Sequence, residues 1–404
     1  MTLSESVSIF VDDQLDYYKQ WILDKPLIIS HDHVNDLKLL QKIIYKMIVH
    51  FVYDYQAFKH LMPVSSEVED ILRMCEQRPY KAGTYRTDFV YDHANQVKII
   101  EITSRFALNG MFLAAVINKV ASQHKQTHFS DLSTESIYDD IFKHFEVHLS
   151  EVTSIHILFG EDKKNESKIY KSIFERIGKP VYSVNVSEIE ENINEMESSW
   201  IISELAFDEI LSIPSGTMEK LTRLNVTNDF RTIFLTHDKR FFDVLGNNSF
   251  QASVLSHDER AFFSKFYVPT YSYSPTSPIW HHASRNKSQW VVKPCALGKS
   301  QKVHAGIVTD SKDWEQIFQE EDLTEFVLQK WVDQTPIQGE INGVKYNDFV
   351  TGTLLFFDNN FFGFGDFRTS SYPVTNIKDH RKASSLILND QPQKDFFNDY
   401  NLIC

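Results

Sequence analysis

Two short runs, Tyr85-Arg86-Thr87-Asp88-Phe89-Val90 and Val97-Lys98-Ile99-Ile100-Glu101-Ile102-Thr103, flank the turn-rich segment 92–96. Strand-forming residues on either side of a polar break predict a β-hairpin. If Asp92 pairs with Val97 across a four-residue loop, Asp88 lies opposite Glu101 and Arg86 opposite Thr103. Alternation then puts Arg86, Asp88, Glu101 and Thr103 on one face. Two carboxylates directly opposed destabilise a sheet unless positive charge sits between them. Two readings of this face stay open. One is a site for Mg²⁺, which takes hard oxygen ligands and bridges carboxylates to phosphates. The other is a solvated ribbon whose acids face water or pair with Arg86.

The 404 residues suit two or three domains, with length to bury a core in each. A net charge of −14 argues against a protein that tracks nucleic-acid backbones. Cys75, Cys295 and Cys404 are far apart and in no metal-type spacing, which implies a reducing compartment and no disulfide framework. The N-terminus lacks a basic start followed by a long apolar run, and no stretch reaches the roughly 18 apolar residues of a membrane span. A cytoplasmic protein without nucleic-acid or membrane partners is expected.

Leu37, Leu40, Ile44, Met47, Ile48, Phe51 and Tyr55 recur at helical spacing and predict a long amphipathic helix over 36–58. The preceding His31-Asp32-His33 reads as a polar loop rather than a metal site. Helices are also expected over 108–122 and 135–148. From Ile155 the pattern changes. A buried-strand run ends in Gly160, a helix over 167–177 is closed by Gly178, and a strand follows over 181–184, which argues a parallel βαβ unit. Trp200-Ile201-Ile202 and Thr232-Ile233-Phe234-Leu235 predict further strands of that sheet. No Gly-x-Gly-x-x-Gly follows the first strand, so dinucleotide binding has little support. Beyond residue 249 come a helix over 258–266 and a Ser/Tyr/Pro-rich linker over 271–278. Strands over 289–293, 303–308, 326–332, 349–357 and 361–368, with a helix over 313–319, then predict an α+β region with a largely antiparallel sheet. The chain so divides at 1–150, 151–248 and 249–404.

Chemistry-bearing residues cluster in the last region. Val291-Val292-Lys293-Pro294, the segment Cys295-Ala296-Leu297-Gly298-Lys299-Ser300 and a returning strand form a hairpin that can close over phosphates. Lys293 would neutralise oxygens, while loop amides and Ser300 donate hydrogen bonds. Phe326-Val327-Leu328-Gln329-Lys330-Trp331-Val332 is a strand whose end can offer groups to an adenine and its ribose, or is a plain core strand. Asp238-Lys239 is expected in the first turn of a helix. Gly363-Phe364-Gly365-Asp366-Phe367-Arg368 ends a strand in arginine, with Asn376 after a loop.

In this order the set resembles an ATP-grasp nucleotide-binding fold. In the usual order an acidic Glu-x-Asn metal strand follows the late arginine, and the residues after Arg368 hold none. Its counterpart is Arg86-x-Asp88 with Lys98-x-x-Glu101-x-Thr103, far upstream. The arrangement is similar to circularly permuted ATP-grasp ligases, including the synthetase domain of glutathionylspermidine synthase, over residues 85–376. The resemblance implies a mixed α/β and α+β chain with a Rossmann-like pre-ATP-grasp domain over 151–248. It implies Mg²⁺ on Asp88 and Glu101, with the Thr103 hydroxyl where the family has an asparagine amide. It also implies Arg86 beside the transferring phosphoryl group, Lys239 and Lys293 as nucleotide-binding lysines, Gln329, Lys330 and Val332 at the adenine hinge, and Arg368 as the late arginine.

The implied activity is ATP-dependent joining of a carboxylate to an amine through an acyl phosphate, chemistry that rests on positioning and charge stabilisation. Acid and amine are small molecules, free or held on a peptide or carrier. Ser104, Arg105, Phe106 and Asn109 directly follow the acidic strand and are candidate substrate contacts, or caps for the next helix. Arg105 suits a carboxylate bidentately. A small-molecule kinase and a non-catalytic ATP-binding protein are the alternatives.

Overall fold

The computed structural model describes residues 1–128, 134–135, 139–298, 300–375, 377–388 and 402–403. The helix expected over 135–148 therefore falls partly outside the described residues, and Lys299, Asn376 and Cys404 fall wholly outside them. The structure is a mixed α/β architecture whose described strands form four sheets.

The expected hairpin, Thr84–Tyr91 with Val97–Thr103, is the edge of a central antiparallel sheet. Next to it lie Val344–Phe357, Asn360–Ser370 and Arg381–Ala383, in that order, with Ile337–Ile341 pairing Val344–Phe357 off the main path. Tyr91 rather than Asp92 pairs with Val97, one step short of the expected register. A bulge at Ile100 then makes up the difference, since Phe89 pairs with Ile99 while Asp88 pairs with Glu101 and Arg86 with Thr103. The extra residue of a bulge restores the alternation that brings the four polar side chains together.

The other face of this sheet is apolar and packs on the helix His31–Tyr53. Tyr85 stacks on Phe356 at 5.0 Å between ring centres, and Phe89 meets Phe367 edge-on at 5.9 Å. Gly352 lies between them, and a Cβ there would fall 2.3 Å from Phe89 Cζ, so no side chain fits. The helix starts at His31, earlier than expected, because the Ser30 hydroxyl caps it by accepting the His33 N–H at 3.3 Å. It ends at Asp54, and Tyr55–Phe58 is a separate turn. His31 and His33 are thus helical rather than in a loop.

A parallel sheet runs in the order Val181–Asn185, Ser154–Phe159, Ser199–Glu204, Val226–Thr227. The βαβ unit is present, with its helix at Lys164–Glu175. The strand expected at Thr232–Leu235 is instead the helix Phe230–Thr236, started by the Asp229 carboxylate accepting the Arg231 N–H at 2.9 Å. Every residue of that helix is buried, so its apolar run carried no periodicity to separate helix from strand.

A third, antiparallel sheet orders His304–Ala305, Trp290–Pro294, Phe326–Lys330 and Thr270–Ser272 around its own core of Trp280, Trp290, Trp314 and Phe326. The strand expected over 303–308 shrinks to two residues because the chain turns after Ala305, whose carbonyl accepts the Val308 and Thr309 amides. The linker expected over 271–278 holds part of the strand Thr270–Ser272 and the start of the helix Pro278–Arg285. A fourth sheet joins distant parts of the chain: Leu27–Ser30 lies in parallel between Ser385–Leu388 and Leu402–Ile403, and Thr134–Glu135 completes it. The described cysteines, Cys75 and Cys295, are buried and free. Among the described residues no helix is long and apolar enough to cross a membrane.

Asn228 stitches the hairpin to the parallel sheet. Its Oδ1 accepts the Thr84 N–H at 2.6 Å, and its Nδ2 donates to the carbonyls of Thr84 and Ser104, both at 2.7 Å. It is fully buried. Asn228→Ala strands these groups away from water, and the expected loss is about 3 kcal/mol or more of folding stability. Chemical denaturation measures it; a midpoint within error of wild type would refute the stitch.

Candidate functional site

One face of the central sheet forms the floor of a cavity of ≈ 460 Å³, and the third sheet covers it. Asp88 lines it. One of its oxygens accepts from Arg86 Nε at 2.7 Å and the other from an Arg368 guanidinium nitrogen at 2.5 Å. Ladder pairing explains the encounter: Arg368 faces Thr351, which in turn faces Val90, two residues along from Asp88. Glu101 pairs with Lys239 at 3.2 Å. Burial opposes the Glu101 charge, but Lys239 and Lys293 outweigh it and hold the carboxyl below its usual range. The repulsion expected of two opposed acids is thus relieved by protein cations on both.

Lys293 comes from the covering sheet. Its Nζ donates to Gln329 Oε1 at 2.7 Å and to the Ile100 carbonyl at 3.3 Å, and Gln329 Nε2 reaches the same carbonyl at 3.2 Å. The two side chains are diagonal neighbours on adjacent strands, since Val291 pairs with Gln329 and Lys293 with Val327. The Ile100 bulge supplies the carbonyl that both of them use. Burial pushes the Lys293 amine down to about 8, with Glu101 pulling the other way. The Arg368 guanidinium is held above its usual range: burial opposes this, and Asp88 and Asp366 more than compensate.

Arg86, Asp88, Glu101, Thr103, Lys239 and Lys293 all line this one cavity, as do Ser300, Gln329, Lys330, Val332 and Arg368. Lys239 precedes its helix, which spans Phe241–Gly246, and its Nζ also donates to the Leu297 carbonyl at 2.6 Å, tying the Gly/Ser loop to the site. Arg105 and Asn109 line the cavity too, but the next helix begins only at Met111, so neither caps it. Ser104 does not line it. It is fully buried, and its hydroxyl donates to the Thr232 carbonyl at 3.1 Å.

Several lining groups lie beyond the sequence reading. Asp366 pairs with Lys382 at 3.0 Å and is held well below the usual carboxylate range; burial opposes this, and Lys382, Arg368 and Arg86 prevail. It stands two residues before Arg368, so alternation along the strand alone puts both on one face. Behind the lining, the buried Thr270 hydroxyl accepts Gln329 Nε2 at 2.9 Å. His237, kept neutral by burial and by nearby Lys239, Arg105 and Arg86, and Glu204 carried no local signal.

The donor set fits the groups a nucleotide site requires. Among the described residues no group of three or more His, Cys, Asp or Glu is disposed to hold a metal ion. Asp88, Glu101 and the Thr103 hydroxyl are hard oxygen donors on one face, the set expected where Mg²⁺ takes its other ligands from phosphates and water. The cations opposite, with Arg368 Nε lacking a hydrogen-bond partner among the described residues, suit phosphate oxygens.

Comparison with known proteins separates fold from chemistry. A model of the family described as the AnkG N-terminal domain matches residues 37–235, a span that includes the hairpin and parallel sheet and stops before Lys239. No curated protein matches the sequence. Among solved structures, a glutathione synthetase-like effector (GSS30) from Globodera pallida, in its apo form, is similar at 10% identity and a TM-score of 0.57. The similarity covers 94% of this chain and 97% of that one. The fold is therefore of the glutathione synthetase-like kind.

Proposed function

We propose that the chain is an ATP-dependent carboxylate–amine ligase on a circularly permuted ATP-grasp fold. The observation that supports this most is the meeting of two distant segments in one cavity. Residues 84–103 bring Arg86, Asp88 and Glu101, and residues 239–368 bring Lys239, Lys293, Gln329 and Arg368. On this reading residues 249–404 bind the nucleotide, 151–248 form the Rossmann-like pre-ATP-grasp part, and 1–150 contribute the acidic hairpin.

Asp88 and Glu101 would hold Mg²⁺, which when bound supplies charge neutralisation on phosphate oxygens. Lys239 and Lys293 bind phosphate, and Gln329, Lys330 and Val332 orient the base. The substrate carboxylate attacks the terminal phosphoryl group, ADP leaves, and an amine displaces phosphate from the resulting acyl phosphate. Arg86 and Arg368 stabilise the charge that develops on the transferred group. The loop tied down through Leu297 excludes water from the acyl phosphate. No side-chain nucleophile is required.

One observation favours a non-catalytic ATP-binding protein instead: both Asp88 oxygens are taken by arginines. Phosphate release from ATP, screened over pairs of acids and amines with product mass as readout, separates the readings. ADP and phosphate released only when acid and amine are both present are expected. A phosphorylated acceptor without amine dependence would indicate a kinase, and nucleotide binding without turnover the non-catalytic protein.

A further inference from the structure

The cavity extends past the acidic hairpin to the carboxyl ends of the parallel strands. Ser154–Phe159 lies between Val181–Asn185 and Ser199–Glu204, so successive connections leave the first strand in opposite directions. Such a switch point opens a crevice where α/β sheets take ligands. Glu204 ends one flanking strand, and Lys163 lies in the short helical turn after the central strand Ser154–Phe159.

Glu204 is 1% exposed. Its Oε1 accepts the Leu108 N–H at 2.8 Å, and its Oε2 has no partner among the described residues. The neighbouring cations are already matched, Lys163 by Glu166 at 3.6 Å and Arg105 by Asp162 at 3.1 Å. One carboxylate is left over in a wing walled by Phe10, Tyr18, Phe112 and Tyr170. An anionic ligand would add like charge there. A cation pairs with the free oxygen, and aromatic faces favour it.

The geometry points to this wing as the binding site of a cationic amine whose ammonium group is held by Glu204. The inference rests on the ligase reading only in taking that amine to be the second substrate. Burial, reinforced by Glu166 and opposed by Lys163, the Leu108 amide and Arg105, raises the Glu204 carboxyl to about 7. Ammonium binding must then displace a proton below neutrality. Amine affinity rises about tenfold per pH unit up to about pH 7 and levels off above it.

Calorimetry with butylamine and butyrate, similar in size and opposite in charge, tests this on the full chain. Glu204→Gln keeps the acceptor for Leu108, and thermal melting checks that it folds. Wild type is expected to bind butylamine, to ignore butyrate, and to release a proton at about pH 6 in buffers of different ionisation enthalpy. Glu204→Gln is expected to lose about tenfold or more in butylamine affinity together with the proton release, and Glu204→Asp to recover part of both. Butylamine binding unchanged in Glu204→Gln, or a preference for butyrate, would overturn the assignment. ATP binding is titrated alongside. Glu204-dependent amine binding without ATP binding sinks the ligase reading and leaves the amine site standing. ATP binding with amine binding that ignores Glu204 sinks the amine site alone.

Discussion

Glu101→Gln is expected to abolish ADP formation while the protein still folds. Lys239 and Lys293 keep this carboxylate ionised across the neutral range, so on the proposed function wild type would present a negative oxygen to a phosphate-bound cation. The amide is isosteric and uncharged, and its NH₂ is poorly matched to Lys239 Nζ, which the carboxylate meets at 3.2 Å. Loss of one charge at a metal–phosphate junction is expected to slow turnover about a hundredfold or more, near 3 kcal/mol of barrier. The folding penalty should be about 3 kcal/mol rather than that of a surface pair, since Lys239 is only 4% exposed and loses its counter-charge. ADP release and thermal melting measured on the same preparation check both. Full activity in Glu101→Gln would remove Glu101 from the metal assignment.

Lys293→Met is expected to separate nucleotide affinity from stability. Burial lowers the wild-type amine to about 8, and on the proposed function phosphate oxygens of a bound nucleotide would raise it again. ATP affinity should therefore be flat below pH 8 and fall above it, by up to about tenfold per pH unit. In Lys293→Met affinity drops about tenfold or more at neutral pH and the slope above pH 8 disappears. The linkage for folding runs in the opposite direction. The unfolded chain binds more protons between about pH 8 and 10, so wild-type stability should gain about 2–3 kcal/mol relative to Lys293→Met across that window. Titration calorimetry and denaturant melts over pH decide the matter, and an ATP affinity that ignores both pH and the substitution would refute the lysine's role.

Much of the floor of the site was legible because strands have a period of two. Arg86, Asp88, Glu101 and Thr103 share a face whatever happens at the turn, since the error in loop register was absorbed by the Ile100 bulge. That the bulge's own carbonyl would serve Lys293 and Gln329 was not legible, because it depends on a second sheet meeting the first. Asp366 was legible in principle from its spacing to Arg368. Glu204 was not: it closes an apolar strand, and only the order of strands in space gives its position meaning. The helix at Phe230–Thr236 has no exposed side to set a period, and the strands Leu27–Ser30 and Ser385–Leu388 are too short to stand out without their partners.

Asp88 and Arg368, joined by a hydrogen bond, lie 280 residues apart in sequence. A ribosome making this protein releases the acidic hairpin long before Val344–Phe357, the strand it pairs with. Until then the nascent hairpin presents a bare strand edge and an acid lacking its second arginine, the condition under which chaperones are needed and chains mispair. The cavity they share is therefore complete only once Arg368 has been made, and a translation product truncated before that residue cannot carry it.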